Sequence, residues 1–200
     1  CKVTDIEPIN NLSDQSAFSS RANILITMAG LYDAAQSGFY DPLNGTAIAV
    51  RGYPFGAANV SQGDMRGEDM LNQAAFYQIT YEATYNDVSA NVSFQFQTLY
   101  SLINVANLTI EGVQKAAASG IITAALGTQY EAECKFLRAL AHHELVVFFA
   151  RPYADAAGSK QGIIYRDFGI NTEATIEAAR ALKRTTVADN YTKILADLDF

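Results

Sequence analysis

The chain has 200 residues, a formal net charge of −7 and a pI of about 4.7; 50% of its residues are hydrophobic and 18% are charged. This composition is typical of a folded chain that buries a sizeable core without disulfides, and it argues against disorder. The acidic balance and the lack of any basic run exclude clustered phosphate contacts, so no nucleic-acid partner is expected. The longest apolar runs fall far short of the ~20 residues of a membrane-spanning helix.

Residues 1–12 show no periodicity and are interpreted as a tether, followed by a folded domain over residues 13–200. Cys1 begins the sequence without an initiator Met, which favours a processed chain whose signal peptide has been removed. The alternative is a chain boundary that happens to fall at a cysteine. The second cysteine, Cys134, is interpreted as a small buried or half-buried side chain rather than a reactive thiol.

A first helix is predicted to begin near Ser13 or Asp14, since both are good N-cap residues. Gly38 and the pairs Asp41-Pro42 and Asn44-Gly45 are predicted to end it. The predicted apolar stripe of this helix consists of Phe18, Ala22, Leu25, Met28 or Ala29, and Tyr32.

Residues 45–70 are rich in glycine and are predicted to be rich in loops, with a short apolar segment possible at residues 48–50. Asp64, Glu68 and Asp69 within it are carboxylates of the kind that hard cations bind. Because the 12-residue calcium-loop pattern is missing, a solvated acidic loop is the favoured interpretation and no metal site is predicted.

An aromatic segment follows at residues 76–85. Tyr77, Tyr81 and Tyr85 are spaced at i, i+4 and i+8, so a helix would place them on one face. Tyrosine offers a flat apolar face and a hydroxyl, which suits stacking on sugars. These three residues are the candidate ligand-binding residues, with Tyr77 and Tyr81 first. The alternative is that they pack against a neighbouring helix.

Two longer helical stripes come next. The first consists of Phe96, Leu99, Tyr100, Ile103, Ala106, Asn107 and Ile110, and the second of Ala132, Phe136, Ala139, Leu140, His143, Val146 and Val147. Glu131 and Glu133 are predicted to lie in the first turn of the second helix, and Pro152 is predicted to end it. This helix, within residues 130–153, is predicted to be central to an all-α packing. Between the stripes, Gly120 and Gly127 are predicted to break an alanine-rich stretch.

No catalytic motif is found, and no catalytic residue, cofactor or metal is predicted. The only histidines are His142 and His143, and neighbours on a helix point ~100° apart, so they cannot chelate one ion. His143 begins an H-E-x-x-H pattern, but Val147 occupies its last position. One histidine in the core or an interface and one in solvent is the favoured interpretation.

The end of the chain is irregular after residue 153, with a helical turn or two predicted at 175–182. Thr186 and Asp189 have the spacing of a capping box. They precede a last apolar stripe of Tyr191, Ile194, Leu195 and Leu198.

Several of these stretches resemble signatures of the SusD/RagB family. Residues 96–107, F-Q-T-L-Y-S-L-I-N-V-A-N, are similar to the family pattern W-x-x-x-Y-x-x-I-x-x-A-N, with Phe96 as the aromatic core residue in place of Trp. Residues 131–141 and the L-V-x-x-F and Pro152-Tyr153 that follow resemble the family's signature helix, which contains F-L-R-A. Residues 184–198 resemble R-x-T-V-x-x-V-Y-x-x-I-x-x-D-L. Together with a first helix at 27–34, the resemblance covers most of residues 27–200.

The resemblance implies an all-α scaffold of degenerate tetratricopeptide-type helix pairs with long irregular loops, of which this chain is the N-terminal portion. It also implies a surface-exposed outer-membrane lipoprotein, anchored through an acylated Cys1. Such a protein captures oligosaccharides and delivers them to a TonB-dependent SusC-like transporter. Two alternatives stay open: a peptide ligand, or a helical scaffold that docks on the transporter without contacting ligand. No enzymatic activity is implied.

Overall fold

The computed structural model describes residues 14–38 and 52–200, and within these ranges the chain forms eight α-helices, two 3-10 helices and no β-strand. The predicted all-α fold is confirmed. Residues 1–13, which include Cys1, and residues 39–51 lie outside the described residues. The α-helices are α1 (Asp14–Ala17), α2 (Arg21–Ser37), α3 (Ala57–Asp64), α4 (Gln78–Tyr81), α5 (Ala90–Ala118), α6 (Ala124–Phe149), α7 (Glu173–Ala181) and α8 (Val187–Leu198), and the 3-10 helices are Ala75–Tyr77 and Asp155–Gly158.

The long helices α5 and α6 form the centre of the fold. The connection between them is short, so they pack as antiparallel neighbours. Gly120 turns the chain with a φ of 77°, which glycine adopts without strain. Gly127 does not break the helix, contrary to the prediction: it lies inside α6, where an added Cβ would be 2.7 Å from the Cβ of Ala117. Glycine at this position lets the two helices approach closely.

Helix α6 begins earlier than predicted. Thr123 is its N-cap, and the side-chain oxygen accepts a hydrogen bond from the Leu126 N–H at 3.2 Å. Glu131 and Glu133 therefore lie well inside the helix, and their predicted place in its first turn is wrong. The helix ends at Phe149, ahead of Pro152 as predicted.

The buried face of α6 is also rotated by about one residue from the predicted stripe. Phe136 and Val147 are 53% and 54% exposed, whereas Cys134 is fully buried as predicted. His142, not His143, is the core histidine. Apolar residues flank the stripe on both sides, so the sequence pattern fits two neighbouring rotations of the helix about equally well.

Helices α1 and α2 show the same shift. The chain turns between them, and Ser20 begins α2 by accepting a hydrogen bond from the Asn23 N–H at 3.2 Å. In α2 the side chains of Ile24 and Leu31 are buried, whereas Leu25 is 59% exposed. The predicted end at Gly38 is confirmed.

An extended segment, residues 162–170, contacts the three helices α5, α6 and α8. Asn190 of α8 holds its first part, since the Asn190 Oδ1 accepts from the Ile163 N–H at 2.8 Å. The predicted capping box of Thr186 and Asp189 is confirmed at the start of α8, and α7 lies where a helical turn was predicted.

The glycine-rich region is only partly a loop, because residues 57–64 form α3. The loop before it is tied to the end of α2, since the Phe55 N–H donates to the Ala35 carbonyl at 3.0 Å. A Cβ on Gly56 would lie 2.3 Å from the Gln36 carbonyl oxygen, so glycine is required there. This region carries α3 to the side of α5 on which the aromatic segment lies.

Phe96 of α5 was expected to be a core residue and is instead 42% exposed. Its ring packs edge-on against Tyr100 and Phe149, with centroid distances of 4.9 and 5.1 Å. The other predicted α5 stripe residues, from Leu99 to Ile110, are buried as expected.

Candidate functional site

The aromatic segment, residues 76–85, is not one continuous helix. It consists of the 3-10 helix Ala75–Tyr77, the single turn of α4 and a reversal at Ala83, which has a φ of 54°. The reversal is closed by a hydrogen bond from the Thr84 N–H to the Ile79 carbonyl at 3.0 Å. Tyr85 therefore lies outside the helix, so the condition for placing all three tyrosines on one helical face is not met.

The three predicted ligand-binding residues differ in how much of each is exposed to solvent. Tyr81 is 40% exposed and Tyr85 is 42% exposed. Tyr77 is half-buried, and its ring packs edge-on against Phe76 with a centroid distance of 4.8 Å. The structure thus presents Tyr81 and Tyr85 to solvent more than Tyr77.

The first turn of α5 holds this segment in place. Asn91 is buried, and its amide Nδ2 donates to the Phe76 carbonyl at 2.9 Å. Asn86 and Ser89 form the turn before the helix, in which the Asn86 N–H donates to the Ser89 Oγ at 2.9 Å. The segment therefore has a defined position relative to α5, which is a rigid element of the core.

Arg66, in the turn after α3, lies between two aromatic rings. Its Cζ is 5.2 Å from the ring centroid of Tyr85 and 5.5 Å from that of Phe148. A guanidinium at this range from aromatic faces makes cation–π interactions. Arg66 is the only basic residue between positions 52 and 114 of the sequence. A single basic residue in an acidic, glycine-rich stretch is the sequence feature that distinguishes Arg66.

A small cavity, here called the Gln95 cavity, lies beneath Arg66 and Tyr85. It has a volume of about 110 Å³, and Gln62, Gln95 and Phe148 also line it. Gln62 is buried and accepts a hydrogen bond from the Tyr53 hydroxyl at 2.8 Å. Arg66 and Tyr85, which line the Gln95 cavity, are exposed, so the cavity opens to the surface beside the aromatic segment. No sequence pattern predicts Gln95 as a site residue, since its only signal is that it is a polar residue one turn after Asn91 in α5.

Three polar residues of the family signatures lie in a separate, buried cluster, here called the Arg138 cluster. Its members are Asn107, Arg138, His142, Tyr165 and Asp197. The Arg138 Nε donates to the Asp197 Oδ2 at 2.8 Å, and the Arg138 Nη1 donates to the Asn107 Oδ1 at 2.7 Å. The Tyr165 hydroxyl donates to the Asp197 Oδ2 at 2.7 Å. Helices α5, α6 and α8 each contribute one signature residue to this cluster.

His142 completes the Arg138 cluster. Its ring stacks on Tyr165 with a centroid distance of 3.8 Å, and its Nε2 accepts the Arg166 N–H at 3.1 Å. Its Nδ1 lies 2.9 Å from the Arg138 carbonyl oxygen. Because Nε2 accepts, the proton of the neutral ring is on Nδ1. Burial lowers the pKa of His142 to about 3, so the ring is neutral at physiological pH.

The Arg138 cluster is structural rather than a ligand site. Its charged groups are buried and saturated by one another, and Asn107 uses its Nδ2 to hold the Phe168 carbonyl at 2.9 Å. The cluster therefore fixes the extended segment of residues 162–170 against three helices. The family signatures report on this scaffold and do not identify a ligand.

Other candidate chemistry finds little support. Burial raises the pKa of Cys134 to about 12, which keeps this thiol protonated and unreactive. Asp64, Glu68 and Asp69 are exposed. Across residues 14–38 and 52–200 no three His, Cys, Asp or Glu side chains are grouped so that they could hold a metal ion. In the same residues no helix is both long and apolar enough to cross a membrane.

Comparison with solved structures shows related folds. A SusD superfamily protein from Bacteroides fragilis is 22% identical with a TM-score of 0.71, and the match covers 92% of this chain and 39% of that one. One from Bacteroides thetaiotaomicron is 19% identical with a TM-score of 0.64, covering 90% and 36%. A protein from Bacteroides vulgatus described as sugar-binding is 22% identical with a TM-score of 0.62, covering 90% and 36%. The chain thus spans well under half the length of these proteins, and the likeness shows the fold.

Comparison with curated proteins gives no match. Comparison with protein families gives a match over residues 47–200 to the SusD-like family described as "Starch-binding associating with outer membrane". The match spans most of the chain, and the family signatures meet in the Arg138 cluster. The chain therefore belongs to the SusD-like family.

Proposed function

We propose that this chain is part of a surface lipoprotein that binds oligosaccharides without chemical change and delivers them to a TonB-dependent SusC-like transporter. The observation that carries the proposal is the aromatic segment, in which Tyr81 and Tyr85 are exposed and Tyr85 lies beside Arg66 and an open cavity. Aromatic rings stack on the apolar faces of sugars, and a nearby guanidinium donates to their hydroxyls. The family description as starch-binding supports the same ligand class.

The proposal is tested by isothermal titration calorimetry of the full-length protein with a panel of oligosaccharides and of short peptides. The panel contains maltohexaose, cellohexaose, mannohexaose, xylohexaose and arabinohexaose. We expect an oligosaccharide to bind, and Tyr81→Ala and Tyr85→Ala to weaken that binding several-fold, since a stacked ring contributes about 1 kcal/mol beyond its buried area. Tyr77→Ala is expected to have a smaller effect because this ring is half-buried.

Tyr32→Ala is the matched control, because Tyr32 is 46% exposed but lies on α2, outside the aromatic segment. Wild-type affinity in all three segment variants would show that the ligand binds elsewhere. Binding of a peptide in place of every oligosaccharide would favour the peptide-binding alternative. A loss of about 3 kcal/mol of stability in a tyrosine variant would instead mark that residue as part of the core.

A second candidate function, docking on the transporter, is favoured by exposed aliphatic side chains that flank the aromatic segment in the sequence. Leu71 and Val88 are 71% and 78% exposed. Aliphatic groups of this kind suit a protein interface better than a sugar. Leu71→Asp and Val88→Asp are expected to reduce co-purification with the transporter and to leave oligosaccharide binding unchanged. Unchanged co-purification would exclude these two residues from the interface.

The location at the outer membrane rests on the family description, and the anchor is proposed to be an acylated Cys1. Mass spectrometry of the native mature protein should find a lipid-modified N-terminal cysteine. Each buried methylene of such a lipid contributes ~0.8 kcal/mol, so more than one chain anchors stably. An unmodified cysteine at this position in the mature protein would refute the proposed anchor.

A further inference from the structure

The Gln95 cavity contains a buried acceptor that the protein leaves unused. Gln95 is 2% exposed, and its Oε1 receives no hydrogen bond from any residue in the described ranges 14–38 and 52–200. Leaving a buried polar atom unpaired costs free energy, so native structures rarely do so without a reason. Gln95 lines a cavity that reaches the surface at Tyr85, one of the proposed ligand-binding residues. A hydrogen-bond donor on a ligand bound in this cavity would pair with the Gln95 Oε1.

The orientation of the Gln95 amide is fixed by its other end. The Nε2 lies 3.4 Å from the Pro54 carbonyl oxygen and is its donor. Exchanging the two amide atoms would bring Oε1 towards that carbonyl, acceptor against acceptor. The nitrogen is therefore used to hold the loop before α3, and the oxygen is the atom left for the cavity.

Arg66 supplies the complementary group at the mouth of the same cavity. Its guanidinium is held between Tyr85 and Phe148, and guanidinium nitrogens only donate hydrogen bonds. A ligand group between Arg66 and Gln95 thus meets a donor on one side and an acceptor on the other. A hydroxyl satisfies both, because it accepts and donates at once. A carboxylate has no proton to donate to the Gln95 Oε1.

The volume of the cavity limits which hydroxyl-bearing group of a sugar can enter it. An apolar cavity of about 150 Å³ accepts benzene, and the Gln95 cavity has about 110 Å³. It is therefore too small for a pyranose ring and large enough for a substituent of one. Because Gln95 is buried, a hydroxyl that extends further from a ring at the surface is better placed to reach it than one attached directly to the ring. The exocyclic hydroxymethyl group of a hexose carries its hydroxyl one carbon further.

We propose that the Gln95 cavity is a specificity subsite that receives the hydroxymethyl group of a hexose unit, with its hydroxyl donating to the Gln95 Oε1 and accepting from Arg66. This inference rests on the proposed oligosaccharide-binding function and deepens it, because it names hexose oligosaccharides as the ligand class over pentose oligosaccharides. The aromatic segment provides the stacking surface, and the cavity distinguishes sugars by their substituent.

Calorimetry with the full-length protein and the same five oligosaccharides tests the subsite. Cellohexaose and xylohexaose form a matched pair, since they share the linkage and differ by the hydroxymethyl groups. We expect the tightest-binding member of the panel to be a hexose oligosaccharide, with an affinity about tenfold above that of either pentose oligosaccharide. Gln95→Met keeps the length of the side chain and removes the acceptor. It is expected to reduce hexose binding to the pentose level and to leave pentose binding unchanged.

Gln97→Met is the matched control, because Gln97 lies on the exposed side of α5 and bonds to Ser93 at 2.9 Å. Arg66→Met provides a second test on an exposed side chain, so that a folding defect in Gln95→Met does not decide the outcome. This variant is also expected to lose the preference for hexose over pentose oligosaccharides.

If no oligosaccharide binds, the proposed function and the subsite are both overturned. If oligosaccharides bind and the pentose members bind as tightly as the hexose members, or Gln95→Met and Arg66→Met keep the preference, the subsite alone is overturned.

Discussion

At the scale of single residues, the ion pair between Arg138 and Asp197 is the interaction on which the most polar contacts converge. The two residues are 7% and 9% exposed, and Asn107 and Tyr165 satisfy their remaining hydrogen-bonding atoms. Breaking a buried pair leaves an uncompensated charge, which costs about 3–5 kcal/mol. Asp197→Asn is therefore expected to lower the free energy of unfolding by about 3 kcal/mol or more, as measured by urea denaturation of the full-length protein.

The surface pair of Lys193 and Asp167 serves as the control for this prediction. Its atoms are 3.3 Å apart, and both side chains are largely exposed, at 46% and 50%. Exposed ion pairs contribute ~0–1 kcal/mol, so Asp167→Asn should change the unfolding free energy only slightly. Similar losses of unfolding free energy in Asp197→Asn and Asp167→Asn would show that burial does not make the Arg138–Asp197 pair more stabilising than an exposed pair.

At the scale of elements, the close approach of α5 and α6 depends on Gly127. Replacing glycine by alanine inside a helix normally stabilises it by about 0.5–1 kcal/mol. At Gly127 the new Cβ would lie 2.7 Å from the Cβ of Ala117, so Gly127→Ala should destabilise the protein by forcing the helices apart. Gly30 of α2 has no heavy atom within 4 Å of a Cβ position, so Gly30→Ala should stabilise it. Thermal unfolding measures both, and a stabilised Gly127→Ala variant would contradict the predicted packing.

The same elements show how far sequence periodicity reaches. The apolar repeats of α5 and α6 identify both helices, and the capping box of Thr186 and Asp189 locates the start of α8. Periodicity does not fix which face is buried where apolar residues lie side by side, as Leu25 beside Ile24 shows. That choice depends on the neighbouring helix, which the local sequence does not contain.

The candidate site is less predictable than the helices, because distant segments assemble it. The aromatic segment can be recognised from composition alone, but its helical spacing ends at the reversal of Ala83, where a non-glycine residue adopts a positive φ. Arg66 and Gln95 are 29 positions apart in the sequence and meet only through the packing of α3 and its loop against α5. Nothing local to either residue predicts that they line one cavity.

At the scale of the whole molecule, His142 links stability to pH. It lies where α6 meets the extended segment, and its neutral ring is satisfied at both nitrogens, by the Arg138 carbonyl and the Arg166 N–H. Protonation would remove the acceptor at Nε2 and place a charge in the core. Burial holds the pKa of His142 at about 3 in the folded state, whereas an unfolded chain returns it to an ordinary value near 6.5.

Between these two pKa values the unfolded chain binds a proton that the folded chain does not. The stabilising contribution of His142 is therefore fully present above about pH 6.5 and is lost as the pH falls towards 3, by up to ~1.4 kcal/mol per pH unit. Going from pH 7 to pH 5, this one group should lower the unfolding free energy by about 2 kcal/mol.

His142→Gln is expected to be less stable than the wild type near pH 7 but to lose less stability on acidification. His143→Gln, which changes the half-buried neighbour, should keep the wild-type pH dependence. Urea denaturation at both pH values measures the difference, and an unchanged pH dependence in His142→Gln would assign the acid sensitivity to other groups.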